Sequence, residues 1–363
     1  MPEETMHEPK YILGIDTSNY KTSLAVLSQD HIVCDIRRFL DVKQGERGLR
    51  QSDALFQHVK NLPELFEEAS AEFSREGDLR DLREEICGIA FSSKPRPQEG
   101  SYMPCFLAGE SFARSLAAVL DVPVIGFSHQ EGHIQAIKSY TEMASMDEFL
   151  ACHFSGGTCE VLRIRGRDYD PYNLIRGDRF QWIHGEGAFY DVQIIGGSKD
   201  ISFGQVLDRA GVAMGFSFPA GAKMDEIALK TKKSTNMLTP IKVEGGQINL
   251  SGIDTQIKNK LSRLSLTKSI INVDQQVRDE LIREIFIKIS DCLTTLLQQA
   301  AKRSGLKDII MSGGVSSSRF IRSYVSDRLE EEDIIVYFDD NENDLATDNA
   351  VGTALLGGKL LWD

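Results

Sequence analysis

At 363 residues the chain is long enough for about two domains of roughly 150 residues each, with cores that need no staples. Hydrophobic residues make up 41%, charged residues 26% and aromatics 8%, with 30 glycines and 10 prolines, which excludes a collagen, a disordered tail protein and a disulfide scaffold. The formal charge of -13, from 54 acidic and 41 basic residues, favours solubility and works against unaided binding to a polyphosphate.

The opening MPEETMHEPK is acidic and lacks an apolar centre, unlike a signal peptide. From Tyr11 to Ser18, YILGIDTS reads as an apolar strand ending in an acidic, hydroxyl-bearing turn. TSLAVL and HIVCDIRRFL follow at short spacing, the pattern of an antiparallel meander. Residues Ala54 to Ala71 carry helical periodicity through Leu55, Val59, Leu62, Leu65 and Phe66. The strand EICGIAFSS, the Pro-rich loop KPRPQEGSYMP, the helix FLAGESFARSLAAVL and the short strand VPVIGF complete a first unit. A second unit opens on FLACHFSGGT, with EVLRIRG and YNLIRG as strands after it. Helical patterns follow at about Phe203 to Met214, Lys223 to Leu229 and Asp274 to Arg303, and the polar stretch Thr231 to Ser251 reads as a hairpin or loop. KDIIMSGGV, a helix from Ser318 to Leu329, the strand DIIVYF and a helix from Ala346 to Leu361 end the chain.

Three strands, then helix, strand, helix, strand, are thus suggested twice. That α/β plan is the duplicated arrangement of the actin, heat-shock chaperone and sugar-kinase ATPases, with two RNase H-like lobes around a cleft. It divides the chain into an N-terminal lobe, 1–127, and a C-terminal lobe, 128–345, with a last helix at about 346–363 packing back on the first lobe. No apolar run reaches the roughly 18 residues that cross a bilayer. Six scattered cysteines without a CxxC pair read as reduced thiols of a cytoplasmic protein.

In SHQEGHIQAI, His129 and His133 are four apart, so on a helix both imidazoles share one face and one metal. Glu131 would point roughly 160° away, which is not the register of an HExxH general base. His153, at a strand end, and Asp348, at the start of the last helix, are candidates to complete the site. Two or three imidazoles with one carboxylate suit iron, zinc or manganese. Three turns offer backbone amides to a nucleotide: GIDTS with Thr17 and Ser18, SGGTC with Ser155, Gly156 and Gly157, and MSGGVSSSR with Gly313, Gly314 and Ser318. Asp208, Gly221 and Asp225 lie in a fourth segment, where an aspartate could accept ribose hydroxyls.

From about Tyr11 to Leu361 the chain resembles the TsaD family, the synthases of threonylcarbamoyladenosine in tRNA, in its LGIDTSNYKTSLAV, HQEGH, SGG, GQVLDRAGVAMG, FPAGAKMDE, MSGGVSSSR and TDNA segments. The resemblance implies His129, His133, His153 and Asp348 as ligands of one divalent ion, iron or zinc. It places Asp208, Gly221 and Asp225 at the ribose and adenine, Gly313 and Gly314 at the base, and Thr17, Ser18 and Gly156 at the phosphates. Its donor is an acyl adenylate and its acceptor adenine N6 in tRNA, held with the help of a paralogous subunit and a small ATPase. A non-tRNA acceptor and a non-catalytic nucleotide-binding subunit are the alternatives. The chain departs from the family pattern at Tyr20, Thr158 and Ser318 and in the longer loop Ser92 to Pro104, the marks of a divergent paralogue.

Overall fold

The computed structural model describes residues 11–18, 20–29, 31–42, 49–75, 81–167, 180–267, 275–338 and 349–362. Strand β1, Tyr11–Ser18, is buried at nearly every position, as a central strand must be. It pairs antiparallel with β2, Lys21–Leu27, and β2 with β3, Ile32–Phe39. Helix α1, Gln51–Phe73, then covers β2 and β3, and the short α2, Leu82–Glu85, leads into β4, Ile86–Lys94. Strand β4 runs parallel to β1, and β5, Val124–Ser128, parallel to β4 after the crossover helix α3, Phe106–Leu120. Helix α4, His129–Ser139, leaves the end of β5.

The second half repeats the plan. β6, Glu148–Phe154, and β7, Cys159–Gly166, are antiparallel; β8, Trp182–His184, joins the first sheet beside β5; and β9, Tyr190–Ser198, pairs with β7. Helices α5, Phe203–Ala213, and α6, Gly221–Lys230, precede a tight hairpin of β10, Val243–Glu244, and β11, Gln247–Ile248. Helices α7, Ser251–Thr267, and α8, Gln275–Ser304, lead to β12, Asp308–Ser312, α9, Arg319–Glu330, β13, Ile335–Tyr337, and α10, Ala350–Leu361. The first sheet is ordered β3-β2-β1-β4-β5-β8 and the second β10-β11-β9-β7-β6-β12-β13. Three antiparallel strands followed by two parallel ones recur as β3-β2-β1-β4-β5 and β9-β7-β6-β12-β13, with β8 added at one edge of the first sheet and the β10–β11 hairpin at one edge of the second, so the duplication expected from the pattern is present. YNLIRG lies outside the described residues, as does the start assigned to the last helix at Ala346.

Apolar residues of the two sheets meet the facing sides of α4 and α10 in one core, including Ile12, Phe127, Ile134, Phe149, Ile310 and Val351. Separate cores lie beyond each sheet, under α1 and α3 and under α5 to α9. The two central helices cross closely because glycines face each other's chain. A Cβ on Gly352 would lie 1.9 Å from the Gly132 carbonyl oxygen, and one on Gly14 of β1 would lie 2.1 Å from that of Ala350. Among the described residues no helix is long and apolar enough to cross a membrane, and all six cysteines are free.

Candidate active site

Strand β5 ends in Ser128, which caps α4. The Ser128 hydroxyl accepts the Glu131 amide at 3.3 Å, and Glu131 Oε2 accepts the Ser128 amide at 3.1 Å, a reciprocal capping box. Glu131 Oε1 takes the Gly187 amide at 2.7 Å. Burial raises the Glu131 carboxyl, and the bonds from Ser128 and Gly187 oppose the rise. This glutamate is a structural cap on the far side of the helix, as its register predicted.

The near side carries the histidines. His129 Nε2 and His133 Nε2 lie 3.1 Å apart, and one ring nitrogen each of His129, His133 and His153 fall within 4.8 Å of one another. His153 comes from the end of β6, paired in register with Ser312 of β12. Burial, then the charges of His129 and Arg96, push the His153 imidazole down to about 3. Burial and the neighbouring His129 and His153 push His133 well below its ordinary value, so both rings are neutral at pH 7 and able to ligate.

Asp16 of β1 is 2% exposed, and its Oδ1 lies 2.8 Å from His129 Nδ1. Burial would raise this carboxyl, but the charge and hydrogen bond of His129, with Ser92, hold it well below the usual range. The other ring nitrogen of His129, Nε2, faces His133. Two ring nitrogens 3.1 Å apart need a proton or a cation between them. Zinc–nitrogen bonds of 2.0–2.1 Å place tetrahedral ligands about 3.3 Å apart, and His133 Nδ1 is buried with no hydrogen-bond partner. The donor set thus fits a borderline transition metal. Asp348 lies outside the described residues; the next residue, Asn349, is 2% exposed, with Nδ2 2.9 Å from His129 Nδ1 and 3.3 Å from Asp16 Oδ1.

The phosphate-type turns gather around these rings. Thr17 turns its hydroxyl into α3, donating to the Cys105 carbonyl at 3.0 Å and accepting the Gly109 amide at 3.2 Å. The Ser18 amide meets Asp16 Oδ2 at 3.2 Å, while His58 Nε2 sits 2.8 Å from the Ser18 carbonyl and its Nδ1 2.8 Å from the Thr22 hydroxyl. In the second turn Ser155 Oγ accepts the amides of Gly157 and Thr158 at 3.3 and 3.0 Å. The N-terminus of α5 packs on this turn, since a Cβ on Gly204 would lie 2.7 Å from the Ser155 carbonyl oxygen. The two turns meet where Tyr20 Cε2 comes within 3.6 Å of the Gly156 Cβ position, and the Tyr20 ring contacts Phe218 at 5.8 Å. Gly313, at φ +90°, leaves no room for a side chain, because its Cβ would sit 2.5 Å from the Phe154 carbonyl oxygen and 2.9 Å from His153 Cδ2. Gly157, Gly314 and Gly221 face open space.

The two aspartates of the fourth segment act locally as helix caps. Asp208 accepts the Ala220 amide at 2.9 Å and is also bonded by Gly221 at the start of α6. Asp225 accepts the amides of Arg319 and Phe320, both at 3.1 Å, and the Ser318 hydroxyl at the start of α9. Asp208 and Gly221 are therefore brought together, as are Asp225 and Ser318.

The loop from Ser92 to Pro104 crosses to the second sheet. Arg96 forms an ion pair with Glu160 of β7, the residue opposite His153 in the antiparallel register, and Gln130 Nε2 donates to the same carboxylate at 3.2 Å. Burial raises the Glu160 carboxyl, opposed by Arg96 and Gln130. Asp16, Asn349, Gln130, Glu160 and Arg96 were not singled out in the sequence. For Asp16 a signal exists, a lone carboxylate inside an apolar strand; for the others the fold alone supplies the juxtaposition.

Two sheets of matching order, a pair of helices between them and glycine-bearing turns facing across the junction define the ATPase fold of actin, heat-shock chaperones and sugar kinases. Solved structures agree at the level of fold. HypF in its phosphate- and nucleotide-bound form is 12% identical, with a TM-score of 0.53 over 99% of this chain and 47% of that one. Component A of the (R)-2-hydroxyglutaryl-CoA dehydratase of Acidaminococcus fermentans is 15% identical, with a TM-score of 0.50 over 96% and 97%. Within this fold the chain belongs to the TsaD family: the family profile, described as tRNA N6-adenosine threonylcarbamoyltransferase, matches residues 41–181 and 174–355. The relative of that name from Neorickettsia sennetsu is 26% identical over 341 residues, 93% of this chain and 90% of the relative.

Proposed function

We propose that the chain transfers a carbamoyl-type group, threonylcarbamoyl in the first instance, from an acyl adenylate to adenine N6 in tRNA, and that the transfer depends on a metal. The observation that carries this is the convergence of His129, His133 and His153 beside the first and second glycine-bearing turns. An iron or zinc ion held by these residues, with Asp348 as a further ligand, would supply Lewis-acid polarisation of the donor's phosphate and carbamate oxygens. The protein's own part is positional. Asp16 aims His129, and the amide of Gly156, with the positive end of α5 behind it, receives the phosphate, while Gly157 leaves the space beside it open. Ser18, Thr17 and Ser155 shape the two turns around it. Gly313, Gly314 and Ser318 border the space for adenine, with Asp208, Gly221 and Asp225 on the ribose side. The acceptor nitrogen attacks the carbamoyl carbon, the carbon–oxygen bond to phosphate breaks, AMP departs, and the nitrogen's proton passes to solvent.

The N-terminal lobe of this reading spans 1–127 and the C-terminal lobe 128–345, and its setting is the cytoplasm. With a charge of -13 the chain relies on a paralogous subunit and a small ATPase to hold tRNA. A second reading, transfer to a non-tRNA acceptor, is favoured by the loop that Arg96 ties beside His153. Incubation with threonylcarbamoyl-AMP and unmodified tRNA tests both. Transfer lost in His129→Ala supports the first, AMP release only with small amines supports the second, and nucleotide binding without turnover points to a non-catalytic subunit.

A further inference from the structure

We propose that Arg96, with Gln130 beside it, selects the group to be transferred by receiving a carboxylate on the carbamoyl substituent. The preferred donor is then the adenylate of a carboxylate-bearing N-carbamoyl amino acid, not of an unsubstituted carbamoyl group. This rests on reading the cleft as the site of an acyl adenylate.

The loop that carries Arg96 is fastened on both sides of the histidine cluster. At its start the Ser92 hydroxyl accepts Asn349 Nδ2 at 3.1 Å, and the Ser93 hydroxyl donates to the Phe127 carbonyl at 2.9 Å. The Pro95 carbonyl accepts the Gln130 amide of α4 at 3.1 Å. Further along, Gln98 Nε2 donates to the Val192 carbonyl of β9 at 3.4 Å, and the Arg96 amide donates to Ser101 Oγ at 3.1 Å. The Arg96 guanidinium is thereby brought to Glu160, which it meets through Nη2 at 2.5 Å. Glu160 faces His153 across the β6–β7 pair, and directly opposed residues of an antiparallel pair project from the same face with Cβ atoms about 5 Å apart. A fixed cation therefore stands at the edge of the imidazoles, in a chain whose net charge is -13.

Two features suit this corner to a carboxylate next to an N–H. A guanidinium carries five N–H donors in a planar fork. With Glu160 on Nη2, Nε and Nη1 retain donors for a second carboxylate, and 39% of the Arg96 side chain is exposed. Gln130 supplies the complementary group. Its Nε2 is committed to Glu160 at 3.2 Å, which fixes the orientation of the amide. The Gln130 side chain is buried, and Oε1 has no hydrogen-bond partner among the described residues. A buried acceptor without a donor is costly, and a carbamoyl N–H is the kind of group that relieves it.

The test is calorimetric titration of the full chain, supplied with zinc(II), using three probes: AMP, a hydrolysis-resistant phosphonate analogue of threonylcarbamoyl-AMP, and the carboxyl methyl ester of that analogue. Wild type is expected to bind the free acid about tenfold more tightly than the ester. Arg96→Gln should bind acid and ester alike, with AMP affinity unchanged, and Arg96→Lys, which keeps the charge without the fork, should retain a preference of about threefold. Equal weakening of acid and ester in Arg96→Gln means that the residue only fastens the loop, and overturns the proposal, as does a wild type indifferent to the ester. An unchanged acid-to-ester ratio in Arg96→Gln with weakened tRNA binding assigns the cation to nucleic-acid phosphates and overturns it too. A wild type that binds neither AMP nor the analogues removes the donor reading itself, and the role of Arg96 with it.

Discussion

Gly132→Ala sets two effects of opposite sign against each other. Alanine is favoured over glycine inside a helix by about 1 kcal/mol, so an unobstructed α4 would gain stability. The added Cβ would lie 2.1 Å from Asn349 Oδ1, 2.6 Å from its Cγ and 2.7 Å from its Nδ2, against the 3.4 Å at which ordinary contact begins. The amide must retreat by about 1.3 Å, which takes Nδ2 away from Ser92, His129 and Asp16. Overpacking of this kind costs about 1–3 kcal/mol, and each lost hydrogen bond roughly 1 kcal/mol more. Repulsion wins, with a net loss of about 3–5 kcal/mol and a fall in melting temperature of roughly 4–7 °C. Thermal unfolding of Gly132→Ala, Asn349→Ala and the double variant forms a cycle. Because the single changes collide at one spot, the double variant should be more stable than their sum by at least about 1 kcal/mol. Additive losses, or a Gly132→Ala protein as stable as wild type, would show that Asn349 is not what excludes a side chain.

Three further outcomes are expected. His58 is held down to about 4, by burial first, against an unfolded value near 6.5; the unfolded chain therefore binds the extra proton, and stability falls as pH drops from about 6.5 toward 4, by up to about 3 kcal/mol. Urea midpoints for His58→Gln should show a flatter dependence in that window, and an unchanged slope would refute the assignment. Arg96→Ala frees the loop from Glu160 and should raise protease nicking within 92–104 about fivefold, the equivalent of about 1 kcal/mol for a half-exposed pair; a wild-type cleavage rate would mean the ion pair does not hold the loop. Ser318→Ala removes the cap of α9, where its hydroxyl accepts the Ile321 amide at 3.1 Å, and should cost about 1 kcal/mol by denaturant titration; no loss would mean Asp225 caps the helix alone.

The duplicated plan was legible because its central strands are buried almost end to end and its helices carry apolar periodicity. Helix α4 could be read from Ser128 and Glu131, a capping pair three residues apart. Helix α7 was not marked out: its buried Ile253, Asp254 and Ile257 mix charge with apolar residues in a mostly polar run. Strand β9 escaped because Ile194 is exposed at its centre and Gly196 and Gly197 follow, and β8 because three residues carry no period. In the site, His129, His133 and His153 stood out as a pattern. Asp208 and Asp225 show why the rest was harder. A helical aspartate reads the same whether it takes a ligand's hydroxyls or another segment's amides, and both of these reach amides at the start of the next packed helix. Partners brought in from other strands, such as Glu160 opposite His153, leave no local trace.

The close crossing of α4 and α10 bears on how the halves of the molecule can move. Backbone touches backbone at Gly132 and Gly352, so neither helix can slide over the other without a collision, and the least costly relative motion is a tilt about that point. Displacement then grows with distance from the fulcrum and stays small at His129 and His133, which lie within one turn of Gly132 on the same helix.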